Sequence, residues 1–538
     1  MRVSITTDPQ LPRLGYVGQH SPDATAIRCG PWVETRDALV TDGVWDGPFE
    51  AGPSVASVLW GTALRANDAG VRILTSHVPI DRLFLVQVAP TTWVFSNSLP
   101  LVLLEADDEL SPTRSDYRSM FHSASRGLRH APRWTSTGRG RRLRVVYGEI
   151  ATLTAGRARF WHRPAAAGFD DFTQYRARLA TVVERTVANA TDAGRRHPFS
   201  PLPMISAGYD SSVVAVLAAE AGVHHAVSLR RNLGGEDSAA RDDPQAVADA
   251  LGLMLTTVDR GGWRSRTDVP EAWVAASGLP LYDVALLDAE PHLPQTMMMA
   301  GFGGDAMWST QLPHPPWDLA TSGYLFGRGL SEHRLSLGYT IFAPPLIDAT
   351  AVPSVARITS APEMAPWTLG IAYDRPIARR IIESAGVPRG AFGVRKLGVS
   401  GGVGTRTRRF RGRTSSDRLD ELKQSMSAHG AESFIDYLDE IGYDDSSLAA
   451  RAFRLKLTAG ALAHRAFSKV DAASHRTGRS LRSRHASGLV PRALLVRWAA
   501  RVGVHSDYTA LLPHWGTSRV AATLSRADAV APAAECGQ

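Results

Sequence analysis

The alternation of strand and helix patterns between residues 202 and 259 is the feature that most constrains the fold. Apolar strand patterns at 202–206, 225–231 and 253–259 are separated by helix patterns at 211–221 and 244–252. Strands that alternate with helices of this length form βαβ units around a parallel sheet. A further apolar run, TMMMAG at 296–301, predicts another strand. The sequence therefore predicts an α/β fold with a parallel sheet in this part of the chain.

The first 168 residues have a different pattern and predict a β-rich domain. The run RLFLVQVAPTTWVFSNSL (82–99) predicts two strands about a Pro-Thr-Thr turn, and GEIATLTAGRARFWHR (148–163) predicts a hairpin that turns at Ala-Gly. The linker RPAAAGFDDF follows, and apolar spacing then predicts a helix at 172–190. We therefore expect two domains, 1–168 and 169–538, the second becoming mainly helical beyond about residue 415.

Composition removes several classes of protein. Hydrophobic residues make up 44% and charged residues 21%, as in globular proteins, and no apolar run or signal-peptide pattern points to a membrane, so we expect a cytoplasmic protein. The cysteines, Cys29 and Cys536, are too few for a disulfide framework or a cysteine-rich zinc site. The charge of +8 rests on 56 arginines against 4 lysines and is spread along the chain, so neither nucleic acid nor membrane is expected as a partner.

The stretch SAGYDSS, at the end of the strand predicted at 202–206, has the pattern of an anion site. Ser206, Gly208, Ser211 and Ser212 surround Asp210 where a helix is predicted to begin. Backbone N–H groups and hydroxyls at a positive helix N-terminus bind phosphate, and glycine lets the main chain approach it. A carboxylate there would repel phosphate unless a cation lies between them, so Asp210 is a predicted Mg²⁺ ligand. An ordinary Asp/Ser helix cap is the alternative.

Two later segments carry matching chemistry. The strand at 296–301 runs into FGGDAMW, which puts Asp305 just past a strand end. Because ligands gather at the carboxyl ends of parallel strands, Asp210 and Asp305 are predicted to converge on one metal. The segment PRGAFGVRKLGVSGGVG (388–404) carries Arg395 and Lys396, the first lysine of the chain. A lysine suits a leaving pyrophosphate, and a solvated surface lysine is the alternative.

With these residues in view, SAGYDSS, GFGGD and RKLGVSGGVG resemble motifs of the asparagine synthetase superfamily of ATP-dependent amide-forming enzymes. DDPQAVADALGL (242–253) and APPLIDATAV (343–352) resemble two further segments, in the family order, over roughly residues 200–405. The resemblance implies a PP-loop ATP pyrophosphatase domain with a parallel sheet and a helical C-terminal part, preceded by a degenerate Ntn-hydrolase-like domain. Ala207 stands where the family usually has a second glycine.

The resemblance also implies a site and a reaction. A substrate carboxylate would attack the α-phosphorus of ATP, giving an acyl-adenylate and pyrophosphate, and an amine would then displace AMP. Asp210 and Asp305 would bind Mg²⁺, and Lys396 would neutralise the departing pyrophosphate and stabilise the later tetrahedral state. The residues expected to bind ATP or its pyrophosphate are Ser206, Gly208, Asp210, Ser211, Ser212, Leu229, Gly301, Gly303 and Arg395.

Departures from the family pattern narrow the expected function. Arg2 stands where glutamine-dependent members have a nucleophilic cysteine, so no glutaminase activity is expected. Phe302 and Ile341 align with the family's usual acid/base positions, which disfavours asparagine synthesis and the β-lactam synthetase dyad. Tyr282, Asp283 and Asp288 are candidate bases for the amine, although Asp283 also fits a surface or capping role.

We therefore expect a tailoring or cyclising step in natural-product biosynthesis, of the kind that lasso-peptide cyclases perform. The substrates would be a small-molecule or peptide carboxylate and an amine, and proteins of the same pathway are possible partners. Three alternatives stay open: an amidotransferase that uses free ammonia, a PP-loop enzyme that modifies or thiolates tRNA, and a non-catalytic ATP-binding scaffold. Trp308 and Trp317 fit either a pocket wall or, as is more common for aromatic residues, the core.

Overall fold

The computed structural model describes residues 1–108, 132–230, 243–259, 283–310, 325, 328–371 and 373–393. Within these ranges the chain is a mixed α/β protein. Antiparallel sheets dominate the first part, and parallel strands with helices dominate the second. The helical part predicted beyond residue 415 lies outside the described residues.

The described residues of the first part, up to residue 162, form two large stacked sheets, a separate pair of short strands and a short helix. Its described elements are β1 Arg2–Thr7, β2 Tyr16–His20, β3 Ala24–Cys29, β4 Glu34–Arg36, β5 Leu39–Thr41, β6 Val44–Trp45, β7 Leu59–Trp60, β8 Thr62–Asn67, β9 Gly70–Thr75, β10 Leu83–Ala89, β11 Thr92–Ser96, α1 Leu99–Glu105, β12 Trp134–Ser136, β13 Arg142–Val146, β14 Glu149–Thr154 and β15 Arg157–His162. Within the described residues, one large sheet has the order β1-β3-β2-β11-β10-β13-β12 and the other β15-β14-β9-β8-β5-β4, while β6 pairs with β7.

Side-chain alternation along the strands explains why the two sheets stack. Leu83 and Leu85 of β10 point into a core that also holds Leu64 and Ile73 of the other sheet. The intervening residue, Phe84, points to the opposite face and packs under α1. Successive side chains of a strand face opposite sides, so β10 is buried on both faces.

The two strand pairs predicted in the first part are confirmed. β10 and β11 pair across 82–99, and β14 and β15 form the hairpin predicted at 148–163. The hairpin turns at Ala155 and Gly156, whose φ values of 48° and 73° are both left-handed. This is the backbone that tight two-residue hairpins require.

The second part begins with the long helix α2 Phe172–Ala190, in agreement with the helix predicted at 172–190. Asp171 caps it by accepting a hydrogen bond from the Gln174 N–H at 2.8 Å. Its buried face includes Tyr175, Leu179 and Val182, which recur at helical spacing. The predicted domain boundary at 168 falls between β15 and α2.

The other described elements of the second part are β16 Ser200–Pro203, α3 Tyr209–Glu220, β17 His225–Arg230, α4 Gln245–Ala250, β18 Met254–Asp259, β19 Thr296–Met299, α5 Gly304–Met307, α6 Ser331–Leu337, β20 Thr340–Phe342, α7 Val352–Thr359 and α8 Pro376–Ser384. Short 3₁₀ turns cover Val284–His292, Pro344–Leu346, Ala349–Ala351, Pro362–Trp367 and Arg389–Ala391. The predicted alternation of strand and helix is therefore confirmed.

The five described strands of the second part all run parallel. β16, β19 and β20 form one ladder and β17 pairs with β18. A bridge between Met204 and Val227, with Ile205 N–H donating to Val227 C=O at 2.8 Å, joins the two groups. The described strands thus lie in the order β18-β17-β16-β19-β20. Helix α3, whose residues Val213–Ala218 are all buried, packs against this sheet.

Buried polar contacts tie the two parts together. The Arg334 guanidinium lies 3.2 Å from Asp42 and 3.2 Å from Asp81. Glu332 accepts hydrogen bonds from the Ser98 hydroxyl at 2.7 Å and the Leu99 N–H at 3.1 Å. Apolar residues of the first part also enter the core of the second: Leu14, Val44, Val58, Trp60, Val78 and Ile80.

Among the residues that the structure describes, no helix combines the length and apolar character needed to cross a membrane.

Candidate functional site

The candidate site lies where the chain leaves two adjacent parallel strands. β16 is followed by the loop to Gly208, and β19 is followed by the loop to Gly303. From β16 the chain moves to β17 on one side, and it returns later to β19 on the other side. The point between β16 and β19 is thus where the strand order reverses. In open α/β sheets, ligands bind outside the carboxyl ends of the strands at this point.

The first loop places a helix N-terminus at the site. Gly208 is the N-cap of α3, with φ −83° and ψ 162°, and no side chain supplies a cap hydrogen bond. The Ser206 and Ser211 hydroxyls lie 2.8 Å apart, and the Ser212 hydroxyl donates to Gly208 C=O at 2.8 Å. Asp210 lies in the first turn and is not a cap, so the contacts do not fit the capping alternative.

The second loop closes directly over Asp210. A Cβ at Gly301 would lie 2.9 Å from the Ser211 nitrogen and 3.0 Å from Asp210 Cβ. A Cβ at Gly304 would lie 2.4 Å from both Cγ and Oδ1 of Asp210. Such distances leave no room for a side chain, so two glycines bring the loops together. Gly303 has a different task, because its φ is +83° and its missing Cβ would meet Leu346 Cδ2 at 2.2 Å.

The two predicted metal-binding carboxylates start neighbouring helices. Asp305 directly follows Gly304 in the first turn of α5 and is half-buried. No group of three or more His, Cys, Asp or Glu that could hold a metal occurs among the described residues. The described residues thus offer a cation the two carboxylates Asp210 and Asp305 and no larger acidic or histidine cluster. Mg²⁺ fits this donor set, because it is usually bound by one or two carboxylates together with substrate phosphates and water.

Arg375, which no motif in the sequence indicates, contacts Asp210. It is the N-cap of α8, is 2% exposed and donates a hydrogen bond from its guanidinium to Asp210 Oδ1. Burial lowers the pKa of Arg375 to about 10, so the side chain stays charged at neutral pH. Two positions earlier, the Tyr373 hydroxyl accepts a hydrogen bond from the Tyr209 N–H at 3.4 Å.

Arg379, one turn further along α8, holds the first residue of α3, Tyr209, by a hydrogen bond. It donates to the Tyr209 hydroxyl, and burial raises the pKa of that phenol. Tyr209 is fully buried, and a Cβ at Gly393 would lie 2.4 Å from its ring. Gly393, with φ +65°, also donates its N–H to Ala207 C=O at 2.8 Å. The chain at 393 therefore lies against the first loop.

Three predicted residues, Tyr282, Arg395 and Lys396, lie outside the described residues. Lys396 follows Gly393 by three positions.

Asp283, a predicted base, is held by two donors. Arg328 donates to its Oδ1 at 2.6 Å and the Gly329 N–H to its Oδ2 at 2.7 Å. The carboxylate is 2% exposed. Both carboxylate oxygens thus accept a hydrogen bond in a buried position. Asp283 is therefore not the surface residue that was the alternative to a catalytic base. Leu229 is half-buried near the carboxyl end of β17, on the far side of β16 from the second loop.

Several aromatic and apolar residues singled out in the sequence serve packing. Trp308 is fully buried and donates its indole N–H to the Tyr175 hydroxyl at 2.9 Å, so it is a core residue and not a pocket wall. Trp317 lies outside the described residues. Phe302 is half-buried, and the Arg328 guanidinium carbon lies 5.1 Å from the centre of its ring. Ile341 is fully buried on β20.

Cys29 lies in β3 and is fully buried. Burial raises the pKa of its thiol to about 12, so the thiolate needed for nucleophilic attack does not form at neutral pH.

A cleft of about 250 Å³ lies elsewhere, beside strands β5, β8, β9 and β14. Its lining includes Leu39, Leu64, Arg72 and Thr152, and it holds no carboxylate, histidine or cysteine. The converging loops at Asp210 offer the chemistry that this cleft lacks, so they remain the candidate site.

A scan against protein-family models matches none of them, and a search of curated proteins finds no match.

Proposed function

We propose that the chain is an ATP-dependent ligase that forms an amide bond through an acyl-adenylate and releases AMP and pyrophosphate. The observation that carries the proposal is the convergence of two glycine-rich loops, from neighbouring parallel strands, on Asp210. We further propose that the second part is an asparagine-synthetase-like PP-loop domain and that the first is a degenerate Ntn-type domain without glutaminase activity. The buried, protonated Cys29 supports the last point.

The start of α3 supports phosphate binding. Helix N-termini present N–H groups and positive potential to anions. A Cβ at Gly208 would lie 3.4 Å from the Ser206 hydroxyl and 3.6 Å from the Tyr373 hydroxyl, so the glycine brings the main chain close to polar oxygens at the helix start. Asp210 and Asp305 are the residues that would hold Mg²⁺, which supplies positive charge against the triphosphate when bound.

The residues of the chain have distinct roles in the proposed reaction. Ser206, Gly208, Ser211 and Ser212 would hold the pyrophosphate while the substrate carboxylate attacks the α-phosphorus. Lys396 lies three positions beyond Gly393, and three residues span at most roughly 11 Å. Because Gly393 donates a hydrogen bond to Ala207 in the first loop, the chain length allows the lysine to reach the serines of that loop. Its ammonium would neutralise charge on the departing pyrophosphate.

The second step requires a base for the attacking amine. Tyr282 and Asp283 stay predictions for this role. The two hydrogen bonds that Asp283 accepts favour a part in holding Arg328 over proton transfer. The apolar residues Phe302 and Ile341 support a chemistry different from asparagine synthesis, and a tailoring or cyclising step on a small-molecule or peptide carboxylate remains our proposal for the pathway. A cytoplasmic location and pathway partner proteins remain part of it.

One contact favours a second candidate, a nucleotide-binding scaffold without catalysis. Arg375 neutralises Asp210 in the way that a site without a metal would require. A scaffold of this kind would bind nucleotide without converting it to AMP, whereas a ligase would convert it once its substrate is present.

The test uses the full chain with Mg²⁺-ATP and pools of carboxylates, each offered with amines or ammonia. Chromatography resolves AMP from ADP, and pyrophosphate is measured separately. We expect equal amounts of AMP and pyrophosphate, reduced by at least about 100-fold in Asp210→Asn and Lys396→Ala. The matched controls are Asp171→Asn, at the start of α2, and Lys423→Ala.

Calorimetry with Mg²⁺ and a non-hydrolysable ATP analogue gives a reading that needs no substrate. Binding of the analogue without AMP from any pool would favour the scaffold. ADP in place of AMP, or no analogue binding, would overturn the proposal.

A further inference from the structure

The side chains of Tyr373 and Arg375 form hydrogen bonds with the Tyr209 N–H and the Asp210 carboxylate, two groups that a metal-bound nucleotide would need. Arg375 donates to Asp210 Oδ1, where the cation is expected. The Tyr373 hydroxyl oxygen accepts from the Tyr209 N–H, as an oxygen of a phosphate bound at the start of α3 would. One short segment therefore places a guanidinium where the cation is expected and an acceptor oxygen where a phosphate oxygen is expected.

Arg375 is confined to this position. Its side chain is 2% exposed, and its Nε is buried with no hydrogen-bond partner among the described residues. Just before it, Asp374 accepts hydrogen bonds from the Leu369 and Gly370 N–H groups, both at 2.8 Å, which anchors the segment. Within the described part of the chain, Asp210 is the hydrogen-bond acceptor of this guanidinium.

Because of this arrangement, Asp210 should bind a divalent cation only weakly when no nucleotide is present. The incoming cation would displace the guanidinium and leave a buried positive charge beside itself without an acceptor, which is costly. A triphosphate removes the conflict, because its oxygens accept from the guanidinium and coordinate the cation together.

We infer that Arg375 keeps Asp210 from holding a divalent cation alone, so that cation and triphosphate enter the site together. The inference rests on the proposed function, since it concerns the same site. Arg375 would thus prevent the cation from binding before the triphosphate, a role that neither glycine-rich loop has.

The test measures binding of Mn²⁺ alone, as a spectroscopic substitute for Mg²⁺, to the full chain by electron paramagnetic resonance. Arg375→Gln is expected to bind Mn²⁺ at least about tenfold more tightly than the wild type, because a hydrogen bond between charged groups no longer competes. The gain should vanish in Arg375→Gln with Asp210→Asn. The matched control is Arg176→Gln, since Arg176 pairs with Glu220 at the other end of α3.

A second titration, by calorimetry, uses the complex of Mn²⁺ with the non-hydrolysable ATP analogue. The wild type is expected to bind this complex. If it does not, the proposed function fails and the inference fails with it. If the complex binds but Arg375→Gln shows no gain for Mn²⁺ alone, only the inference fails.

Two further outcomes would overturn the inference. A gain that persists after Asp210→Asn would mean that the metal binds elsewhere. Tight Mn²⁺ binding by the wild type without nucleotide would refute the inference even if Arg375→Gln does not fold, which circular dichroism would show.

Discussion

Gly304→Ala tests the convergence of the two loops, because residue 304 has no room for a side chain. The new Cβ would lie 2.4 Å from Cγ and Oδ1 of Asp210 and 2.8 Å from its Cβ. Favourable contacts between carbon atoms begin near about 3.5 Å, so Asp210 must move by about 1 Å. That movement pulls the carboxylate away from the position in which Arg375 now holds it.

The expected magnitude follows from this displacement. Overpacking a closely packed site costs about 1–3 kcal/mol, and alanine recovers up to about 1 kcal/mol of helix propensity over glycine. We expect a net loss of about 1–2 kcal/mol, which for a chain of this length lowers Tm by roughly 1–2 °C. A misplacement of about 1 Å costs about 100-fold in catalysis, so AMP formation should fall by that factor.

Scanning calorimetry measures the stability, and titration with Mg²⁺ and the ATP analogue measures binding. Gly390→Ala is the matched control, because a Cβ there has no described atom within 4 Å. Gly208→Ala separates the two effects: its Cβ clears all described neighbours by 3.4 Å or more, so stability should be kept while nucleotide binding weakens. A Gly304→Ala protein with wild-type Tm and wild-type nucleotide affinity would refute the convergence.

Three further predictions concern other parts of the chain. Lys396→Ala should lose AMP formation by at least about 100-fold while its affinity for the Mg²⁺-ATP analogue changes by less than about tenfold. Arg334→Leu should cost about 3–5 kcal/mol in denaturant unfolding, because Asp42 and Asp81 lose their buried partner. Burial lowers the pKa of His77 from 6.5 to about 4. Between pH 6.5 and pH 4, the imidazole is therefore protonated in the unfolded chain but neutral in the folded protein. Stability should therefore fall by up to about 3 kcal/mol as pH drops through that window, and His77→Gln should flatten the slope.

Each of these predictions has a control and a contradicting result. Equal losses in Lys423→Ala and Lys396→Ala would remove the special role of Lys396. Arg139→Leu breaks an exposed pair with Asp107 and should change stability by less than about 1 kcal/mol; a similar cost for Arg334→Leu would mean that its burial is unimportant. An unchanged pH slope in His77→Gln would assign the slope to other groups.

Local patterns in the sequence predict the elements whose causes are local. Helix α2 spans Phe172–Ala190 as predicted, because its apolar spacing and its Asp171 cap lie within the helix and its first neighbour. The strand predicted at 202–206 is instead observed at Ser200–Pro203, with Met204 in a single bridge. The ends of this strand depend on hydrogen bonds to β19, which lies nearly a hundred residues away in the sequence. A local sequence pattern contains no information about such a distant partner.

The candidate site divides in the same way. The glycines and Asp210 follow strand ends, so their convergence was predictable from parallel topology. Arg375 was not, because it lies 165 residues from Asp210 and is one of 56 arginines. Trp308 was ambiguous for a similar reason, since its partner Tyr175 is 133 residues away.

The shared core has a consequence for producing the protein in pieces. Val44, Val58 and Trp60 pack in the same cluster as residues of α2 and β20. A fragment beginning at residue 169 would leave that surface open to water and Arg334 without either carboxylate. Such a fragment should aggregate when expressed by itself, and co-expression with residues 1–168 should recover it by supplying the missing half of one core.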